Sequence, residues 1–222
     1  MVRWGIDGAP LAPLGGGGLR LRSALELAHG VSYRAALVGL EPAIDELIER
    51  QARWNGCTGF LTSVGGFTLL PLQLPATLLA TWVIQTRLVA TIAALYGLDL
   101  EHEAVRSEIL LTLLGEEAAD VLRQLGVKTG QRLAARQLQR LPAGHLAAIN
   151  RAVGVQLLGR AGRGGLLPLE RAIPLVGGVV GGGVDYLLTR ELGRRAARQL
   201  RQRQRRQATA SGSAVIDVEI LG

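Results

Sequence analysis

The chain has 222 residues, enough to bury a core without staples, and its single cysteine, Cys57, excludes an internal disulfide. Hydrophobic residues make up 48% and mean hydropathy is +0.26, more apolar than an ordinary soluble protein but short of a polytopic membrane protein. The net charge of +7 is local: residues 190–207 hold eight arginines against Glu191, while the rest is nearly neutral, so any attraction for anions belongs to one segment.

The chain divides by composition into four stretches. Residues 1–18 are rich in Gly and Pro and are expected to be disordered. They hold no apolar run of signal-peptide length, so a protein that is not exported is expected. Residues 19–193 carry the periodic apolar pattern of a helical domain, residues 194–207 an arginine-rich helical extension, and residues 208–222 a flexible tail. Within that tail VIDVEIL is open to a short strand or an interaction peptide. Lys128 is the only lysine beside 24 arginines, a bias that suits a GC-rich coding sequence and hence a bacterium.

In chain order, the spacing predicts a short helix near residues 21–28 stopped by Gly30, and another over 33–40 capped by Ser32. A clearer helix opens at Glu41-Pro42, with Ile44, Leu47, Ile48 and Ala52 on one apolar stripe and Arg50 and Arg53 closing it. Residues 55–86 carry no charge. Gly65-Gly66, Pro71 and Pro75 break this stretch into an apolar segment over 58–70 and a second helix from Pro75 to Tyr96, capped by Gly97. About 22 residues at roughly 1.5 Å each would cross a bilayer. Arg87 and the four-residue recurrence of Thr77, Thr81 and Gln85 favour instead a central helix of a bundle, with a re-entrant hairpin left open. Cys57 is expected to be buried in this stretch.

Asp99 is expected to cap a helix carrying Val105, Ile109 and Leu113, ended by Gly115. Shorter amphipathic helices follow over 116–125 and 129–141, then one over 144–158 with Leu146, Ile149, Val153 and Leu157 inward. GRAGRGG at 159–165 reads as a flexible turn. Beyond it, Gly177/Gly181 and Gly178/Gly182 give small-xxx-small spacing, expected to pack against the 75–96 helix. Asp185 interrupts this glycine-rich helix as Arg87 interrupts the earlier one, which suggests a pair between them.

No catalytic signature is readable, and no cofactor is implied. The acids and histidine at Asp99, Glu101, His102 and Glu103 crowd helix starts, where the dipole favours them without a metal. The glycine runs lack the ending of a phosphate loop, and Ser63 in TSVGG has no visible base. Thr77, Thr81, Gln85, Arg87 and Asp185 are candidates for a polar core or a ligand lining. Arg194, Arg195, Arg198, Arg201, Arg203, Arg205 and Arg206 are candidates for contact with anionic lipid, at about 1 kcal/mol each near a surface. Nucleic acid is the weaker reading of the same charge, because few aromatic residues interleave it.

Four blocks in order resemble the EcsC protein family: GFLTSVGGFTLLPLQLP, RLVATIAALYGLDL at residues 87–100, VRSEILLTLLG at 105–115 and RAIPLVGGVVGGGVD at 171–185. The family's namesake is encoded beside an ABC-transporter pair, and its biochemical function is unknown. The resemblance implies an α-helical, membrane-associated accessory protein and supplies no catalytic residues. The expectation is therefore an all-α domain around two apolar Pro/Gly-bounded helical regions. Its role is that of a non-enzymatic accessory or interaction protein, cytoplasmic and peripheral to or partly inserted in the membrane, with an anionic membrane surface or a protein as partner. The alternative is a soluble enzyme or carrier whose core encloses a lipid-like ligand.

Overall fold

The computed structural model describes residues 6–7, 22–64, 70–127, 138–164 and 174–219. Among these the fold is all-α, with no strand. The helices are α1 (Ala24–Val38), α2 (Leu40–Val64), α3 (Leu70–Leu95), α4 (Glu103–Leu114), α5 (Ala118–Gln124), α6 (Ala143–Gly164) and α7 (Pro174–Glu219), with a 3-10 turn at Gly115–Glu117. α7 packs chiefly along α2 and more lightly on α3, and α1 lies across both α2 and α3. A second group, α5 and α6 around α4, joins this bundle where α4 meets α3 and α7.

Local signals explain both ends of α1 and the start of α4. Ser23 caps α1 through a capping box, its hydroxyl accepting from Glu26 N while the Glu26 carboxylate accepts from Ser23 N. α1 then runs straight through Gly30, and Ser32 bonds back to Ala28 O instead of starting a new helix. It ends at Gly39, at φ +93°, which a side chain would strain. At α4 the cap is His102, whose Nδ1 accepts from Ala104 N. Asp99, expected there, spends its carboxylate on Glu101 N three residues earlier.

The larger corrections concern helices that continue through expected breaks. α2 does not stop near Arg53 but carries on through Asn55 and Gly56 to Val64. α3 opens at Leu70 and takes Pro75 one turn in, losing one backbone bond close to its start. α6 continues through the expected turn to Gly164. α7 is a single helix of 46 residues, about 69 Å long, and it runs through the stretch expected as a tail. At Gly56 the packing against Gly182 of α7 outweighs the local cost of glycine. The residues around Gly65-Gly66 and most of the expected 129–141 helix lie outside the described residues.

The apolar stripes meet in one core. Ile44, Leu47, Ile48 and Ala52 from α2 are at most 1% exposed and pack with Leu88, Val89 and Ile92 of α3. Leu146, Ile149, Val153 and Leu157 face inward from α6, as their spacing predicts. Ile6 is also buried in this core, so at least this part of the expected disordered terminus is tied down. A lone Ile among Gly and Pro gives no periodic signal, which is why the sequence hides it.

Candidate functional site

The polar residues of the uncharged stretch and its neighbours form a seam where α2, α3 and α7 cross. Gln51 and Asn55 lie one turn apart on α2, on the same buried stripe as Ile44, Leu47 and Ile48. Arg87 of α3, only 6% exposed, donates from Nη2 to Gln51 Oε1 at 3.1 Å. Thr189 of α7 is fully buried and accepts from Asn55 Nδ2 at 2.7 Å and from Gln85 Nε2 at 3.5 Å. Thr91, also fully buried, returns its hydroxyl to backbone oxygens of Arg87 and Ala24. Among the described residues, the buried atoms Asn55 Oδ1 and Arg87 Nε have no hydrogen-bond partner. Burial first, and the Arg50 charge second, pull the Arg87 guanidinium below its ordinary value.

The seam brings only some of the candidate residues together. Gln85 points toward α7 and Arg87 toward α2, so they line no common cavity. Thr81 is half-buried, and the Thr77 side chain lies outside the described residues. Asp185 is half-buried on α7, and burial raises its carboxyl above the usual value. The expected Asp185–Arg87 pair does not form, because Arg87 turns to Gln51 and Asp185 has no ion-pair partner among the described residues.

At Gly182 the glycine-rich helix meets α2, while α7 also packs more lightly on α3. A Cβ added at Gly182 would lie 2.6 Å from Gly56 O and 3.2 Å from Phe60 Cβ, and one at Gly56 would lie 2.9 Å from Gly182 O. The two backbones therefore touch at a glycine on each helix. The continuous α2 supplies Gly56, which a helix ended at Arg53 would not reach. The same continuity puts Cys57 on the outside, exposed and not buried.

Much of the arginine segment is occupied by acids of the body. Glu49 of α2 accepts from Tyr186 Oη at 2.8 Å and from Arg190 Nε, with Arg194 3.7 Å away. These hydrogen bonds, Tyr186 first, hold its carboxyl below the usual value. Arg201 reaches Glu41 at 3.1 Å, and Glu41 also accepts from Tyr96 Oη at 3.0 Å. Burial and this carboxylate push the Tyr96 phenol up to about 12. Arg203 pairs with Glu108 of α4, where burial outweighs the arginine and raises the carboxyl. Arg195 and Arg198 share Glu191 at 3.7 and 3.2 Å; Arg195 is half-buried with its guanidinium beside Gly115, whereas Arg198 and Arg206 are exposed. Arg205 is exposed as well. The candidate arginines thus divide between clamps to the body and an outward set.

No group of three His, Cys, Asp or Glu among the described residues is arranged to hold a metal ion. No described helix is long and apolar enough to cross a membrane. Sequence reasoning missed Gln51, Asn55, Thr189, Glu49 and Tyr186. The Leu47–Ile48 stripe already reaches Gln51, and extending it one turn beyond Ala52 would have placed Asn55 on the same buried face.

No curated protein and no solved structure matches the chain. The model of the EcsC protein family matches residues 26–204, from the first turn of α1 into the arginine segment. That span takes in both helix groups, the seam and the clamps, and the chain belongs to the EcsC protein family.

Proposed function

We propose that the protein is a non-enzymatic accessory protein that docks on an anionic membrane surface through the outer face of α7. One observation carries this reading. Val184, Leu187 and Leu188 are 42%, 58% and 58% exposed, although large and apolar. Helical spacing places them on the same outward face as Arg198 and Arg206, about three to six turns further along. An apolar stretch followed by cations on one solvent face suits the boundary between acyl chains and anionic headgroups. Glu191 sits between the two and holds Arg195 and Arg198 in salt bridges that a phosphate headgroup would compete for.

Such docking leaves the body folded, since Arg190, Arg194, Arg201 and Arg203 stay clamped to Glu49, Glu41 and Glu108. Flotation of the full chain with vesicles tests the proposal. Recovery with phosphatidylglycerol-containing vesicles, little recovery with neutral vesicles, and loss with Leu187→Glu/Leu188→Glu are expected. A protein that stays in the soluble fraction with anionic vesicles at low salt would overturn it.

A further inference from the structure

A cleft of about 260 Å3 opens between α1 and α2, apart from the α7 face. Its floor is apolar, with Leu27 and Val31 from α1 and Ala43 and Leu47 from α2. Its rim carries three arginines, Arg22, Arg34 and Arg50, and two acids, Glu26 and Glu46. Both acids are engaged. Glu26 closes the capping box of α1, and Glu46 accepts from Arg34 at 3.0 Å. Arg22 and Arg50 make no ion pair among the described residues. Beside Arg50 lies the seam residue Arg87, buried, with its Nε unpartnered and its charge opposed by that of Arg50. Arg22 and Arg50 thus face the cleft, and Arg87 lies behind Arg50, without a carboxylate paired to any of the three among the described residues. Like charges so placed favour an anion between them.

We propose that the α1–α2 cleft binds a small amphipathic anion, a phosphate or carboxylate head held by Arg22 and Arg50 with a short apolar body on the Leu27–Val31–Leu47 floor. Arg87 adds buried positive charge behind that head and does not touch it. Size limits the ligand: at about 30 Å3 per water-sized group the cleft takes roughly nine of them. That is a head and a chain of a few carbons, at the small end for ligand pockets. Two acids on the rim disfavour a head of more than modest charge.

Calorimetric titration of the full chain with n-hexyl phosphate and with inorganic phosphate tests the site. Hexyl phosphate is expected to saturate one site, with inorganic phosphate binding roughly tenfold or more weakly because it leaves the floor uncovered. Arg22→Gln and Arg50→Gln, both at exposed positions, are expected to weaken hexyl phosphate roughly tenfold each. Gly30 lines the cleft, and a Cβ there meets nothing within 4 Å. Gly30→Leu is therefore expected to fold, fill the cleft and abolish binding while leaving every arginine in place. No saturable heat at about 10 mM ligand, or undiminished binding by the double arginine variant and by Gly30→Leu, overturns the site. The source of the anion is read from flotation of Arg22→Gln/Arg50→Gln. Unchanged flotation, the expected result, assigns a free anion, and parallel loss assigns a lipid headgroup. Leu187→Glu/Leu188→Glu is expected to keep hexyl phosphate binding, so the cleft and the α7 face fail or stand separately.

Discussion

Arg87 and Gln51 show how a buried charge is held by a neutral partner. The guanidinium gives one hydrogen bond to Gln51 Oε1 and leaves Nε bare, so each residue depends on the other. Gln51→Leu strands the charge, and Arg87→Met strands the amide oxygen; each is expected to cost about 2 kcal/mol in urea unfolding. The double variant removes both halves and is expected to fall within about 1 kcal/mol of the parent, because an apolar pair of similar volume suits the site. Additive losses would show that the two do not act as a unit. Asp185 carries the opposite problem, a half-buried carboxylate with no ion-pair partner among the described residues. Its folded pKa lies above the unfolded value of 3.8, so the folded state holds its proton longer. Stability from this group is complete below that value and is lost as pH rises through the folded pKa. Asp185→Asn is therefore expected to melt higher than the parent at pH 7, with the gap closing near pH 4. An equal gap at both pH values would contradict the assignment.

At the scale of elements, the α2–α7 crossing is the contact that sets the architecture. Gly182→Ala puts a methyl against Gly56 O, a backbone atom that moves only with its helix, and is expected to cost about 1–3 kcal/mol. Gly183→Ala, one residue on, meets open space and is expected to gain up to about 1 kcal/mol from helix propensity. Thermal melts that rank the two variants the other way would refute the crossing. The spacing of Ile44, Leu47, Ile48 and Ala52, and of Leu146 to Leu157, made the core faces legible, because period 3.6 survives in any helix that buries one stripe. Helix continuity was not legible. Gly30 read as a stop, Arg53 as a helix end and Gly159 as the start of a turn, yet α1, α2 and α6 run past them. The seam suffered most, since Asn55 lies beyond the point where the local signal ends and Gln51, though inside it, is a polar residue on an apolar stripe. Partner choice was also hidden: small-xxx-small spacing marks a close approach but does not name the facing helix.

At the scale of the whole molecule, the excess positive charge is less free than its count suggests. Arg190, Arg194, Arg201 and Arg203 clamp α7 to α2 and α4 across more than three turns. This leaves an outward set downstream of exposed Val184, Leu187 and Leu188. Salt is therefore expected to act on the two sets differently. Raising it to about 0.5 M is expected to weaken vesicle flotation strongly and to change the melting temperature little, because the Arg190–Glu49 and Arg203–Glu108 pairs are partly buried and screened less than exposed charges. Parallel loss of flotation and fold would show that the same arginines serve both. The most direct measurement places an environment-sensitive fluorophore at position 188, through Leu188→Cys in a Cys57→Ser background, with a control label at Glu46→Cys. Anionic vesicles are expected to shift the emission at 188 to the blue and leave the control unchanged. Identical emission at 188 with and without vesicles would contradict docking through the outer face of α7.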